Sequence, residues 1–166
     1  MNPELWARRL AAFGWLPVFA IPLGAVVLPF IPAGPILHER LVVTAFGLFL
    51  YSLVWWLALF LVQRADGRTG SARRPFLEVL FWARLWHGSV LAMITAGAVA
   101  GALLFYVVGG LFGSESGPLE RIRAGMRDGS FYVFIWAPGC AIIGCIMLAH
   151  RRSRLAAKAS DGHPAA

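Results

Sequence analysis

The chain has 166 residues, of which 59% are hydrophobic and only 14% charged, and its formal net charge is +7. A soluble domain carries about 25% charged residues; here the mean hydropathy of +0.71 leaves more apolar surface than a water-soluble fold of this length can hide, so lipid is the expected solvent. The basic residues lie in short stretches between apolar runs and do not line one face, so the charge reports topology and headgroup contact, and no nucleic-acid partner is expected.

The first apolar run spans residues 11–32, AAFGWLPVFAIPLGAVVLPFIP, and follows Arg8 and Arg9. It is too long for a secretory leader and lacks a small-residue cleavage site, so it reads as a retained first span. Pro17 and Pro22 fall inside it and each removes a helix hydrogen bond. The expected consequence is a static kink; a hinge or an unwound ion-coordinating segment is the functional alternative. The second run is 41–62, LVVTAFGLFLYSLVWWLALFLV, bare of charge.

The third run, 79–113, would extend about 50 Å as a helix, longer than the hydrocarbon core is thick. The crossing itself is placed at 88–113. That leaves Trp82, Arg84 and Trp86 as anchors at the headgroup level, with His87 beside them at the water boundary. Gly97 and Gly101 form a GxxxG pair within the crossing. The stretch 114–129, SESGPLERIRAGMRDG, places Leu119, Ile122 and Met126 at i, i+3 and i+7 and predicts a short external amphipathic segment lying on the membrane surface.

The fourth run is 130–150, SFYVFIWAPGCAIIGCIMLAH. Ala137, Ala141, Cys145 and Ala149 recur every four residues, a small face that matches the Gly97–Gly101 face and predicts close packing of the third and fourth spans or a subunit contact. Cys140 and Cys145 point roughly 140° apart on a helix, which excludes a bridge between them. Residues 151–166 read as a polar, flexible tail.

The expected architecture is an all-α membrane protein, a four-helix transmembrane bundle forming one domain. Lys and Arg set its orientation. Ten of them (Arg8, Arg9, Arg64, Arg68, Arg73, Arg74, Arg151, Arg152, Arg154, Lys158) face Arg40, Arg121, Arg123 and Arg127 across the membrane. The positive-inside rule then puts both termini in the cytoplasm of a cell with a bacterial-type inner membrane.

No metalloprotease, phosphate-loop or serine-hydrolase motif occurs, and no paired carboxylates lie within a span. The expected role is a non-catalytic accessory or scaffold subunit of a transport, secretion or respiratory assembly. It would need no cofactor, and its partners would be lipid and other subunits or copies of itself. Two alternatives stand beside it. His87 and His150 are the one histidine pair on a shared leaflet, as a haem-binding electron-transfer subunit would need, and the proline-broken first span would suit a small channel or carrier.

Overall fold

The structure is a computed structural model that describes residues 2–66, 75–112 and 116–161. Five α-helices follow in order: α1 (Pro3–Phe13), α2 (Trp15–Val27), α3 (Pro35–Asp66), α4 (Pro75–Leu111) and α5 (Pro118–Asp161), with a 3-10 turn, Leu28–Phe30, after α2. Helices α1, α3, α4 and α5 each begin on a proline. At that position the missing N–H is one the helix could not have used, and the fixed φ is already helical. Asn2 caps α1, its Oδ1 accepting from the Glu4 amide at 3.1 Å. No strand occurs among the described residues.

Helices α3, α4 and α5 are long and apolar enough to cross a membrane, and a fourth crossing results if α1 and α2 count as one broken span. Within the chain, 28% of the most apolar stretch of α3 is buried and 17% of that of α4 and of α5. Most of the apolar surface therefore faces outward, as lipid requires.

Three sequence expectations change. The first run is not one kinked helix but two, bent by 41° at Gly14. Pro22 sits inside the continuous α2, so the break falls at the glycine. The surface segment at 114–129 is not a separate amphipathic helix either; its described residues from Pro118 onward form the first turns of α5, which has 44 residues. Leu119 and Met126 of the apolar pattern are exposed, while Gly125 is buried. The tail, finally, is helical to Asp161, residues 151–161 continuing α5. Its Ala, Leu, Arg and Lys content favours helix, and cations near a helix C-terminus meet the negative end of its dipole. Arg68, Arg73, Arg74 and His163 lie outside the described residues.

Helices α4 and α5 pack along each other with their backbones in contact. A Cβ added to Gly101 would run into the carbonyl of Gly125, and one added to Gly129 into that of Gly97. The row on α5 is longer than the alanine face alone: Gly125, Gly129, Val133, Ala137, Ala141, Cys145 and Ala149 stand four residues apart. Its last four members are buried. Such a row is a ridge of the kind that fits a neighbouring helix's groove. Small residues along it let dispersion and Cα–H···O contacts accumulate, the attractive terms left when lipid removes the hydrophobic one.

A second close approach fixes α1. A Cβ on Gly88 would meet the Leu10 carbonyl, and one on Gly14 the Arg84 carbonyl. Gly14 has φ of −83°, so glycine is needed there for proximity and not for its backbone freedom.

Gly101→Leu should separate α4 from α5 and destabilise the bundle by about 3 kcal/mol or more, since the obstruction is backbone and cannot rotate away. Leu103→Phe and Val107→Phe, at side chains 61% and 54% exposed, should leave the melting temperature in mild detergent unchanged. Equal melting temperatures for all three variants would rule out the glycine seam.

Candidate functional site

The segment of α4 from Trp82 to Val90 is where the chain concentrates its inward-facing aromatic and polar groups. Trp82, Trp86 and His87 are each 1% exposed. This corrects the expectation of headgroup anchors and a water-boundary histidine, because all three side chains face the interior of the bundle. The tryptophans join a core built with Trp55, Ala58, Leu59 and Val62 of α3 and the alanine face of α5.

His87 stands edge-on to Trp55, with ring centroids 5.4 Å apart, and tilted against Tyr51 at 5.8 Å. Its Nδ1 lies 2.7 Å from the Ala83 carbonyl oxygen. A carbonyl only accepts, so Nδ1 carries the proton and Nε2 of the neutral ring carries the lone pair. Among the described residues that Nε2 has no hydrogen-bond partner, and neither does the nearby indole N–H of Trp55. The Tyr51 hydroxyl accepts from Trp86 Nε1 at 3.2 Å. His87 and Tyr51 also border a cavity of about 500 Å³ whose other walls include Pro17 and Ile21 of α2, Thr44 of α3 and Phe134 of α5.

Chemically, the site offers one buried nitrogen lone pair beside one unused N–H donor. A lone pair of that kind can accept a hydrogen bond or ligate a metal. The haem pairing of the sequence does not assemble, however. His150 is exposed on α5. The antiparallel register set by Gly97 with Gly129 and Gly101 with Gly125 puts His150 level with the start of α4, roughly 16 Å of helix rise from His87. Two axial nitrogens must face each other across one iron. No cluster of three or more His, Cys, Asp or Glu that could hold a metal occurs among the described residues.

Arg84 also points inward. Its Nε donates to the Ala11 carbonyl at 3.0 Å, and its guanidinium lies 4.3 Å from the centre of the Trp15 ring. At the bend the Ala11 carbonyl accepts from the Gly14 amide at 3.3 Å, and Arg84 supplies it with a second donor. The cation over Trp15 contributes a second attraction across the same break. The α1–α2 pair is thereby bolted to α4 at its bend.

A third polar junction closes the same end. Arg152 of α5 forms a bidentate pair with Glu4 of α1, at 3.2 and 3.1 Å, and reaches Glu78 of α4 at 3.4 Å. The guanidinium also lies 4.7 Å from the Phe81 ring centre and 5.2 Å from that of Trp82. The start of α1, the start of α4 and the end of α5 therefore share one end of the bundle. Reading the sequence alone missed this cluster, because each acid is an ordinary first-turn residue and Arg152 one of several arginines in a basic run.

The helix-packing residues fare differently from the anchors. Gly97 and Gly101 meet Gly129 and Gly125, and Ala137, Ala141, Cys145 and Ala149 are buried in the core. Gly125 and Gly129 were hidden by the assignment of their stretch to an external segment; their four-residue spacing was the available signal.

Replacing His87 tests whether packing explains it. Its loss leaves Ala83 O with its helical backbone partner and removes an unsatisfied acceptor, so His87→Leu should change stability by less than about 1 kcal/mol. His87→Asp, which buries a carboxylate among tryptophans, should destabilise by several-fold more. Melting temperatures in detergent decide the matter: a large loss for leucine would make His87 a structural residue.

No family model, curated protein or solved structure matches this chain.

Proposed function

We propose that this protein is a non-catalytic accessory or scaffold subunit of an inner-membrane complex, embedded as a four-span bundle with both termini on the cytoplasmic side. The observation that carries the reading is the way α1, α4 and α5 are locked. Glycine contacts join α4 to both α5 and α1, Arg84 bridges the bend to α4, and Arg152 ties all three at one end. Transport by rocking needs one element free to move against another. Here the bend, where a hinge would fall, has its buried Ala11 carbonyl paired with both the Gly14 amide and Arg84 and its glycine pressed on backbone. That argues for support and against a carrier.

The orientation rests on the positive-inside bias, and the Arg152 junction supports it by gathering α1, α4 and α5 at the basic end. Partner contact would fall on α3. Its exposed Phe46, Phe49, Leu53, Trp56 and Phe60 recur at alternating three- and four-residue steps, the seam spacing of paired helices.

One observation favours the haem-binding electron-transfer alternative, the unpartnered Nε2 of His87. Since His150 stands at another level, the second axial ligand would have to come from a partner. A visible spectrum separates the readings. Under the scaffold reading the complex purified in mild detergent contains stoichiometric partner subunits. Phe49→Ala combined with Trp56→Ala then releases them without lowering this chain's own melting temperature, and no Soret band depends on His87. A Soret band abolished by His87→Leu would replace the scaffold with an electron carrier, and a chain that runs alone under cross-linking in its native membrane would defeat both.

A further inference from the structure

We propose that the cleft between α1 and α5 is a binding site for one anionic phospholipid, its phosphate on Arg151 and an acyl chain on the apolar floor. The proposal needs the membrane reading but not the scaffold assignment. The cleft has a volume of about 570 Å³. Its walls come from single helix faces: Pro3, Trp6 and Leu10 on α1 stand three or four residues apart, and Gly144, Leu148 and Arg151 do so on α5. Leu85 and Ser89, one turn apart on α4, make the floor.

Direction follows from the Glu4–Arg152 pair, which sets the start of α1 against the end of α5. Pro3 and Arg151 therefore form the mouth, at the basic end of the bundle, and Leu10 and Gly144 the foot. Seven residues separate mouth from foot, roughly 10 Å along the helix axes. The result is an apolar slot running down into the membrane from a charged rim, the shape of a lipid headgroup and the first part of its chain.

Charge accounting picks out the anion. At this end Glu4 and Glu78 are both engaged by Arg152. Arg84 is spent on Ala11 and Trp15, and Arg9 lies over the Trp6 ring at 5.7 Å. Arg151 lines the mouth and has no carboxylate partner among the described residues. A phosphodiester satisfies it. A choline or ethanolamine head would bring a second cation beside Arg151 at the mouth, so an anionic lipid is preferred to a zwitterionic one. The slot is apolar below the rim and opens toward lipid, which favours an acyl chain over a peptide whose backbone would need hydrogen bonds there.

The test is retention of lipid by the full chain. The protein is equilibrated in nanodiscs of dioleoyl phosphatidylglycerol and dioleoyl phosphatidylcholine, extracted gently, and weighed by native mass spectrometry. The wild type should keep one phosphatidylglycerol in preference to phosphatidylcholine. Arg151→Gln should lower that retention about three- to ten-fold, the range for one charge-assisted contact at a partly wet rim. Gly144→Phe should lower it as well while leaving the charge unchanged. An added Cβ at Gly144 meets nothing within 4 Å, so the new side chain starts in open space and fills the foot of the cleft. Met147→Glu, at an exposed position of the same cleft, places a carboxylate one turn from Arg151 and should displace the lipid phosphate even if the phenylalanine variant folds poorly. Arg154→Gln removes an equal charge from an exposed residue outside the cleft and should have no effect. Equal losses for Arg154→Gln and Arg151→Gln, with none for Gly144→Phe or Met147→Glu, would show diffuse headgroup attraction and overturn the site. So would release of the bound lipid by inorganic phosphate alone, or a wild type indifferent to headgroup charge.

Discussion

The backbone contact between α4 and α5 is the constraint from which the rest of the structure follows. In lipid, apolar side chains gain nothing by leaving one hydrocarbon environment for another, so helices hold together only where their surfaces touch over many atoms. Glycine at 97, 101, 125 and 129 brings the two carbonyl walls into contact. That approach sets the register of the hairpin, and the register in turn brings Arg152 at the end of α5 down to Glu78 at the start of α4. Were the seam shifted by one turn, about 5.4 Å, the guanidinium would be carried away from Glu78.

With α4 and α5 fixed, α1 has one place to lie. Gly88 admits the Leu10 carbonyl and Gly14 accepts the backbone at Arg84, so the α1–α4 crossing repeats the device of the α4–α5 crossing with two glycines instead of four. The polar contacts come after this proximity and do not create it. Each pair in the Arg152 cluster is partly exposed and contributes about 1 kcal/mol or less. Its effect is on specificity: one guanidinium serves carboxylates from two helices, so α1 and α4 cannot both be satisfied in another arrangement. Arg84 acts similarly at the bend, where it can reach the Ala11 carbonyl only if α1 ends at Gly14.

Sequence reading located the long apolar helices because hydropathy is a local property and the runs are unmistakable. It recovered half of the α4–α5 seam, since Gly97, Gly101 and the alanine row lie inside apolar runs. The other half was lost because Gly125 and Gly129 stand among charged residues, where Leu119, Ile122 and Met126 offered a more conspicuous but incidental helical pattern. Trp82, Arg84, Trp86 and His87 were misplaced for a different reason. Tryptophan and arginine near a span end suit the headgroup region, but they equally suit a bundle interior in which another helix supplies the partner. Composition cannot distinguish the two. The partners that decide are Ala11 for Arg84 and Tyr51 for Trp86, separated by 73 and 35 residues, and no local pattern couples such distant positions.

The distribution of buried side chains then divides the bundle into unlike halves. At the end where α1 begins and α5 finishes lie the buried tryptophans, His87, and most of the alanine row. Toward the other end α2 has no buried residue at all, and beyond Gly101 no residue of α4 is buried. The large buried side chains and the polar junctions therefore share one half, while in the other half α4 and α5 are held by the glycine seam. The two hairpins meet around the cavity bordered by Pro17 and Ile21 of α2, Thr44 of α3 and Phe134 of α5. The exposed Phe46, Phe49, Leu53, Trp56 and Phe60 of α3 face away from this packing, so apolar contact made there costs none of the contacts that join the helices.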